Sequence, residues 1–259
     1  MAYATTEITS AEIPSDNPVH QRLYFPYEEA AKRISGKVLE LGCGWGRGVE
    51  KLMANCEHLT GLDKNTELIQ ALQKQYPKHY FNTVDLPSLA EFPDEHFDYV
   101  VTFQVIEHIQ DDRKFLEEAY RVLKPGGQIF LTTVNRTYSL SRNPWHVREY
   151  TLPELKGLME AYFQPVETFG VGGNDKVWEY YEQNKASVRR IMKWDILNLQ
   201  YRLPGWMLRI PYEILNRKNR NSLYQESDGL AASIRWDDHY LSSDPAHCID
   251  FFFIGHKPA

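Results

Sequence analysis

The sequence predicts an α/β protein with a doubly wound sheet of seven strands, most of them parallel. Short apolar runs of β type alternate with amphipathic helical patterns along most of the chain. The links between them are short and rich in glycine and proline, which is typical of a parallel sheet covered by helices on both faces. The length of 259 residues is enough for one large domain with a sizeable insertion.

Seven segments have the composition of buried strands. The first, VLEL, carries a single acid, and the fourth, YVVTF, is apolar along almost its whole length. The last segment, rich in phenylalanine, lies close to the end of the chain. The predicted strands cover residues 38–41, 59–62, 80–84, 99–103, 128–134, 163–171 and 249–256.

Five helices are predicted from apolar spacing and from end signals. The dipeptide SG ends the first, Pro77 follows the third, and the tripeptide PGG ends the fourth. Thr151 and Glu154 form a capping-box sequence that opens the fifth. The predicted helices cover residues 23–34, 47–54, 66–75, 111–123 and 151–161.

Composition and charge exclude several classes of protein. The 29 basic and 35 acidic residues give a net charge of −6, which argues against a surface built for nucleic acid. Three widely spaced cysteines without a CxxC pair predict neither a disulfide scaffold nor a cysteine-rich zinc site. The polar N-terminus does not resemble a signal peptide, and the apolar run 249–254 is far shorter than a membrane helix. The expectation is therefore a cytoplasmic protein.

A glycine-rich turn, ELGCGWG at residues 40–46, directly follows the first predicted strand. Such a turn lets a ligand approach the backbone at the start of the next helix. A dinucleotide site is the competing interpretation, but its GxGxxG fingerprint requires a glycine where this chain has Arg47. The spacing therefore disfavours a nicotinamide-dependent reductase.

Three further motifs follow in order. Asp63 ends the second strand, 17 residues beyond Gly46, and Asp85 follows the third strand. The fourth strand and its exit read FDYVVTFQVIEHI at 97–109, and RVLKPGG at 121–127 precedes the fifth strand. Together with the glycine turn, these motifs resemble those of the class I S-adenosylmethionine-dependent methyltransferases, over about two-fifths of the chain.

The resemblance implies S-adenosylmethionine as cofactor and S-adenosylhomocysteine as product. It implies that the glycine turn packs against the methionine part of the cofactor and that Glu40 helps to orient the loop and the amino group. It also implies that Asp63 binds the ribose hydroxyls. It places Asp85 and the next residue at the adenine, and side chains of segment 97–109 near the sulfonium and adenosine. The segment HQRLYF at 20–25 resembles the arm that closes over the cofactor in many of these enzymes, which implies that Arg22 pairs with the methionine carboxylate and that Tyr24 covers the sulfonium. Helix-capping roles for this segment stay open. The implied cofactor residues are Arg22, Tyr24, Glu40, Gly42, Cys43, Gly44, Gly46, Asp63, Lys64, Asp85, Leu86, Gln104 and His108.

The resemblance also bears on a metal. Some quinone-type O-methyltransferases of this family carry Glu-x-x-(Asp/Glu)-His and hold a divalent cation there. This chain has Gln104 in place of the first carboxylate, and an amide is a poorer ligand for a hard cation. The expectation is no bound metal, with Glu107 and His108 ordering their loop.

His146, in the segment NPWHVREYT after the fifth strand, is the candidate catalytic base. In this fold the loop borders the acceptor pocket, and imidazole titrates near neutral pH. The other interpretation is a histidine that pins the loop through hydrogen bonds. Both remain open at this stage.

Residues 172–248 interrupt the alternation of strands and helices. The segment holds four of the six tryptophans and a long helical pattern. Between Lys185 and Arg220, nine basic and two acidic residues give a local charge of +7, which leaves −13 for the rest of the chain. It is predicted to be a helical lid over the acceptor pocket, and its basic, aromatic character also suits an anionic substrate or membrane face. Single-stranded nucleic acid ranks lower.

The chain therefore divides into four predicted parts: an arm and cofactor-covering helix (1–35), the cofactor-binding core (36–171), the lid insertion (172–248) and the final strand (249–259). The predicted function is methyl transfer to an oxygen, or alternatively a nitrogen, of a small-molecule acceptor, without a nucleic-acid partner. Two alternatives stay open. One is a membrane-associated methyltransferase of a lipid or quinone-like isoprenoid, and the other is a non-catalytic protein that binds S-adenosylmethionine.

Overall fold

The computed structural model describes residue 9, residues 12–195 and residues 197–259. Within them, eight strands form one sheet in the order β3-β2-β1-β4-β5-β8-β6-β7. Strands β1 to β5 are parallel, whereas β8 runs antiparallel between β5 and β6, and β7 runs antiparallel to β6. The strands are β1 (Lys37–Leu41), β2 (His58–Asp63), β3 (Tyr80–Thr83), β4 (Phe97–Phe103), β5 (Leu123–Val134), β6 (Val166–Gly173), β7 (His239–Ser242) and β8 (Asp250–His256).

The predicted α/β class and mostly parallel sheet are confirmed, but the strand count of seven is wrong. The additional strand, β7, lies inside the segment 172–248, so the insertion is not wholly helical. Its four residues, HYLS, contain no apolar run that would identify a strand in isolation. The strand exists because it pairs with the outer edge of β6 and thereby covers that edge.

Helices cover both faces of the sheet. Helices α1 to α3 pack with Val38, Leu59 and Val101 on one face of the sheet. Helices α4 and α5 pack with Leu39 and Val100 on the other face. Helices α6, α8 and α9 enclose a smaller apolar cluster of their own. The helices are α1 (Asn17–Ala31), α2 (Val49–Met53), α3 (Thr66–Gln75), α4 (Asp112–Val122), α5 (Leu152–Glu160), α6 (Asp175–Met192), α7 (Leu199–Arg202), α8 (Gly205–Glu226) and α9 (Leu230–Ser233).

Two element boundaries differ from the sequence prediction by five residues or more. Helix α1 begins at Asn17 rather than at residue 23, because Pro18 occupies the first turn, where its missing N–H costs nothing. Strand β5 begins at Leu123, five residues earlier than predicted, because Leu123 pairs with Phe97 across an irregularity in the ladder. Of the expected loose arm, residues 1–8, 10 and 11 lie outside the described residues.

The segment between β6 and β7 begins and ends at the same place. The Asn174 N–H donates to the Asp238 carbonyl at 2.9 Å, and the Asn174 side-chain amide donates to the Asp238 carboxylate at 2.7 Å. The Asn174 side chain also caps α6 at its N-terminus. Helices α6 to α9 therefore leave and rejoin the sheet through one pair of hydrogen-bonded residues.

The N-terminal end of α1 is tied to α8 through a buried acid. Asp16 has no exposed surface, and its carboxylate accepts hydrogen bonds from Arg217 at 2.7 Å and Arg220 at 3.0 Å. Asn17 adds hydrogen bonds from its side-chain amide to the carbonyls of Ala231 and Ile234.

Among the described residues, no helix is both long and apolar enough to cross a bilayer.

Replacing Asp16 with alanine removes the carboxylate that two partly buried guanidinium groups share, and an uncompensated buried charge is strongly destabilising. We expect the free energy of unfolding to fall by about 3 kcal/mol, measured by urea denaturation. The control is Asp237→Ala, which breaks the exposed pair with Arg235 and should cost less than about 0.5 kcal/mol. Equal losses in the two variants would contradict the structural role of Asp16.

Candidate active site

The turn between β1 and α2 is held by hydrogen bonds from its own backbone. The N–H groups of Gly42 and Cys43 both donate to the Leu62 carbonyl, at 2.7 and 3.0 Å. Gly42 and Gly44 have φ angles of +77° and +54°, in the left-handed region that favours glycine. Within the described part of the chain, no heavy atom lies within 4 Å of where a Gly44 Cβ would sit, so the turn faces open space there.

Two other predicted members of the turn have structural roles. Gly46 has φ +88° and approaches Leu72 of α3 so closely that a Cβ would lie 2.5 Å from its side chain. The Cys43 side chain is buried in the core, where burial raises the pKa of its thiol well above the usual value. Only the backbone of Cys43 is therefore available to a ligand at the turn.

Glu40 lies directly behind the turn on β1 and is buried. Its Oε1 accepts a hydrogen bond from the Tyr27 hydroxyl of α1 at 2.8 Å, whereas its Oε2 is enclosed without a hydrogen-bond partner among the described residues. Burial raises the pKa of Glu40 to about 7. The second oxygen is thus placed to receive a donor that the described part of the chain does not supply.

Asp63 ends β2 beside the turn and braces it. Its Oδ2 accepts a hydrogen bond from the Gly44 N–H and its Oδ1 from the Asn65 N–H, each at 2.9 Å. Each oxygen keeps a further lone pair for a ligand hydroxyl. Lys64 next to it is exposed, and Asp85 and Leu86, after β3, are respectively exposed and partly buried. These residues line the same end of the parallel strands.

Gln104 follows β4 in a strained conformation, with φ +58° for a residue that carries a Cβ. Its N–H donates to the Thr132 carbonyl of β5 at 2.9 Å, which holds the strain in place. Backbone outliers of this kind occur at functional sites. Gln104 lines a cavity that the glycine turn does not reach.

That cavity has a volume of about 260 Å³. It lies among α1, the ends of β4 and β5, the loop 138–149, and helices α6 and α8. Four tyrosines from three of these segments contribute to its lining, with several histidine, asparagine and carboxylate groups. The tyrosines are Tyr138, Tyr180, Tyr181 and Tyr212.

His146 lies in the cavity wall between two hydrogen-bonding partners. Its Nδ1 is 2.7 Å from Glu149 Oε1, and its Nε2 is 2.8 Å from the Asn143 side-chain nitrogen. The orientation of the Asn143 amide follows from its oxygen, which accepts a hydrogen bond from the Trp145 N–H. The amide therefore donates to Nε2, and Nδ1 carries the proton that is donated to Glu149.

Glu107, His108 and His146 offer ligand atoms within 4.8 Å of one another. Glu107 Oε2 accepts a hydrogen bond from the Thr133 hydroxyl, and its carbonyl accepts one from the Val147 N–H. His108 Nδ1 donates to the Trp145 carbonyl at 3.1 Å. Glu107 through its carbonyl and His108 through its side chain thus contact the loop that bears His146, which supports the expected ordering role. The absence of a metal stays a prediction.

Burial shifts both groups toward their neutral forms. It raises the pKa of Glu107 to about 7 and lowers the pKa of His108 to about 4, with His146 a smaller influence on each. The His108 and His146 rings meet edge to face at 4.9 Å between centroids. A neutral His108 avoids repulsion of a proton gained by His146.

The two residues expected from the N-terminal arm differ in position. Arg22 lines the cavity, and its Nε lies 3.2 Å from the buried carboxylate of Asp250. Tyr24 is not among the residues that line the cavity; its ring stacks at 6.3 Å on His20, which in turn stacks on Trp45 of the glycine turn. Burial, together with Glu28 and Glu50, raises the pKa of Tyr24 to about 12. The roles of Arg22 toward a methionine carboxylate and of Tyr24 toward a sulfonium stay predictions.

Three residues of the site are absent from the sequence prediction. Tyr27 supports Glu40, while Asn143 and Glu149 hold the two nitrogens of His146. The Asn-x-x-His-x-x-Glu spacing is the available signal for the last two. It is weak, because three-residue spacing in a loop does not determine which side chains meet.

Comparisons with known proteins agree with this geometry. The methyltransferase-domain family matches residues 39–131. A probable S-adenosylmethionine-dependent methyltransferase of Mycolicibacterium smegmatis is 37% identical over 177 residues, which are 64% of this chain and 67% of that protein. A ubiquinone biosynthesis O-methyltransferase of Pseudomonas putida is 31% identical over 113 residues, 42% of this chain and 49% of that one. The chain thus spans about two thirds or less of these relatives.

A solved structure from Thermotoga maritima has the same fold. It is described as an S-adenosylmethionine-dependent methyltransferase, possibly a histamine N-methyltransferase. It superposes with a TM-score of 0.59 at 15% sequence identity and covers 92% of each chain.

The raised pKa of Glu40 makes stability depend on pH. Between its ordinary value of 4.5 and about 7, the folded chain holds a proton that the unfolded chain has lost, so this group lowers stability as pH rises through that window. Glu40→Gln should remove this contribution. We expect the variant to gain stability relative to wild type between pH 5 and 8, measured as the difference in urea midpoints, and a constant difference across that range would contradict it.

Proposed function

The chain belongs to the class I S-adenosylmethionine-dependent methyltransferases, and from this premise we propose that it methylates an oxygen atom of a small-molecule acceptor bound in the cavity beside His146. The observation that carries the proposal is the pair of Glu149 and His146 in the cavity wall, beyond the glycine turn. A base held by a carboxylate suits a hydroxyl acceptor, which has a proton to lose.

The cofactor residues of the chain fit S-adenosylmethionine. The buried Glu40 Oε2 awaits a donor such as an amino group, and the open space at Gly44 admits a ligand against the backbone. Asp63 offers two carboxylate oxygens to a pair of hydroxyls. When bound, the cofactor supplies an activated methyl group to a nucleophile aligned with it.

His146 provides the proton acceptor at a defined atom. Because Nδ1 carries a proton toward Glu149, Nε2 is the basic nitrogen, and in the structure it receives the Asn143 amide. An acceptor hydroxyl takes the place of this amide donor. With the cofactor bound, the hydroxyl proton would pass to Nε2 as its oxygen takes the methyl group and the carbon–sulfur bond breaks to leave S-adenosylhomocysteine, and the Glu149 carboxylate would stabilise the resulting imidazolium.

The cavity indicates the acceptor class. Tyr138 and Tyr181, both in the lining, lie 5.9 Å apart between ring centroids, and Trp178, outside the lining, packs on Tyr138 at 5.7 Å. Aromatic walls favour a flat ring, and polar groups around them orient its substituents. We therefore infer a ring-borne hydroxyl as acceptor. The relative from Pseudomonas putida, an O-methyltransferase of ubiquinone biosynthesis, supports oxygen over nitrogen.

Asp63→Ala should weaken S-adenosylmethionine binding about tenfold to a hundredfold, since charge-assisted hydrogen bonds to the ribose are lost. Isothermal titration calorimetry measures the affinity, with NAD as a comparison ligand. Asp63→Asn separates the lost ribose contact from loss of the loop, because an amide oxygen still receives the Gly44 N–H. Wild-type affinity in Asp63→Ala, or preferential binding of NAD, would overturn the cofactor assignment.

His146→Ala should lower kcat about a hundredfold or more while the Kd for S-adenosylmethionine stays within about threefold. The assay measures the S-adenosylhomocysteine that forms when phenols are supplied as methyl acceptors, over a range of increasing pH. Alkaline pH should partly rescue the variant, because ionised phenols need no base. Glu149→Gln should retain S-adenosylmethionine binding and lower kcat by a smaller factor. Unchanged turnover in His146→Ala would rule out the base.

A further inference from the structure

The segment that leads into α8 and the first half of α8 expose a continuous series of apolar side chains, here termed the outer face. Trp194 is 86% exposed, Trp206 70% and Ile210 73%. Isolated exposed apolar residues are ordinary, but so many large ones within about twenty residues mark an interaction surface. The outer face comprises Trp194, Leu197, Leu199, Tyr201, Trp206, Met207, Ile210, Ile214 and Leu215.

The apolar stripe on α8 is not the side that packs on the protein. Trp206, Ile210 and Ile214 recur every four residues and so share one side of the helix. Tyr212 and Asn216 line the cavity from another side, and Leu223 is buried in the core of the lid. Helix α8 therefore forms a wall of the cavity with one side and offers an apolar stripe to the surroundings with the other.

Positive charge surrounds the outer face. Residues 185–220 carry a net charge of +7, although the whole chain carries −6. Several of these basic residues are exposed among the apolar ones. They are Arg189, Arg190, Lys193, Arg202, Arg209 and Lys218. These residues lie on the end of α6, on α7 and on α8. Exposed tryptophan, aliphatic side chains and excess basic charge in one region are typical of helical segments that lie in a membrane interface.

We propose that the outer face docks on the surface of a bilayer that contains anionic phospholipids. Trp194 and Trp206 would lie at the level of the headgroups, and the exposed lysine and arginine side chains would attract the lipid phosphates. A second copy of the chain fits less well, since two faces of the same positive charge repel. Nucleic acid also fits less well, because half or more of the outer face on α8 is aliphatic, as at Ile210, Ile214 and Leu215, and gives bases nothing to stack on.

The outer face is connected to the loop 138–149, which bears His146. Arg209 lies 4.0 Å from the ring centroid of Trp145, and Arg142 donates to the carbonyls of Gln200 and Leu203 at 2.7 and 3.0 Å. Trp145 immediately precedes His146. The segment that meets the lipid therefore also holds the loop that borders the cavity, which places the cavity close to the bilayer.

Vesicle flotation with the intact chain tests the proposal. Wild-type protein should float with phosphatidylcholine vesicles containing phosphatidylglycerol, bind vesicles of phosphatidylcholine alone at least about tenfold more weakly, and be released by high salt. The double variant Trp206→Ser/Ile210→Ser and the charge-reversed Arg190→Glu/Lys193→Glu should each lose about tenfold or more in binding. S-adenosylmethionine binding checks that each variant is folded.

The matched controls lie at the opposite edge of the sheet. Tyr80→Ser removes a 39% exposed aromatic ring on β3, and Lys78→Glu reverses a nearby exposed charge. Both should float like wild type. Absence of binding to anionic vesicles would overturn the proposal, as would equal losses in the controls. The proposal would also be overturned if the wild-type chain does not bind vesicles but forms dimers or binds oligouridine, and if the outer-face variants lose that dimerisation or binding.

Discussion

Burial of the Glu40 carboxyl behind the glycine turn is the constraint on which the rest of the site depends. A carboxyl without water is costly, and one hydrogen bond from Tyr27 offsets only part of that cost. The hydrogen bond to Oε1 requires α1 to lie against β1. The glycine turn that follows β1 is held to β2 by the Leu62 carbonyl and by Asp63. The Tyr27–Glu40 hydrogen bond, the Leu62 carbonyl and Asp63 together hold the three neighbouring elements α1, β1 and β2 around the turn.

The proposed cofactor half and the proposed acceptor half of the site are formed by different kinds of group. The cofactor half uses backbone N–H groups and positive φ angles in a single turn, together with Glu40 and Asp63 at the ends of adjacent strands. The acceptor half uses side chains from α1, the loop after β5, α6 and α8, which are far apart in the chain. A backbone site tolerates little change in sequence, whereas a side-chain site assembled from four segments varies freely.

This difference explains how much could be predicted. The parallel strands followed from apolar runs, and the cofactor turn from glycines whose conformations the structure shows to be left-handed. Strand β7 could not be predicted, because four mixed residues become a strand only through pairing with β6. The partners Tyr27 and Glu149 could not be predicted either, since hydrogen bonds between side chains depend on how separate segments pack. The chain pattern located His146 without revealing which of its nitrogens is basic.

The hydrogen-bonded junction of Asn174 and Asp238 has a consequence for how this fold diversifies. The entropic cost of closing a chain segment grows slowly with its length. Because Asn174 and Asp238 already hold the two ends of this segment together, a change in its length adds little to that cost. The segment between these residues can therefore change in length without moving the ends of β6 and β7, although Arg217 and Arg220 also tie it to Asp16 at the start of α1. A change in that segment would alter what enters the cavity while leaving the register of the sheet untouched.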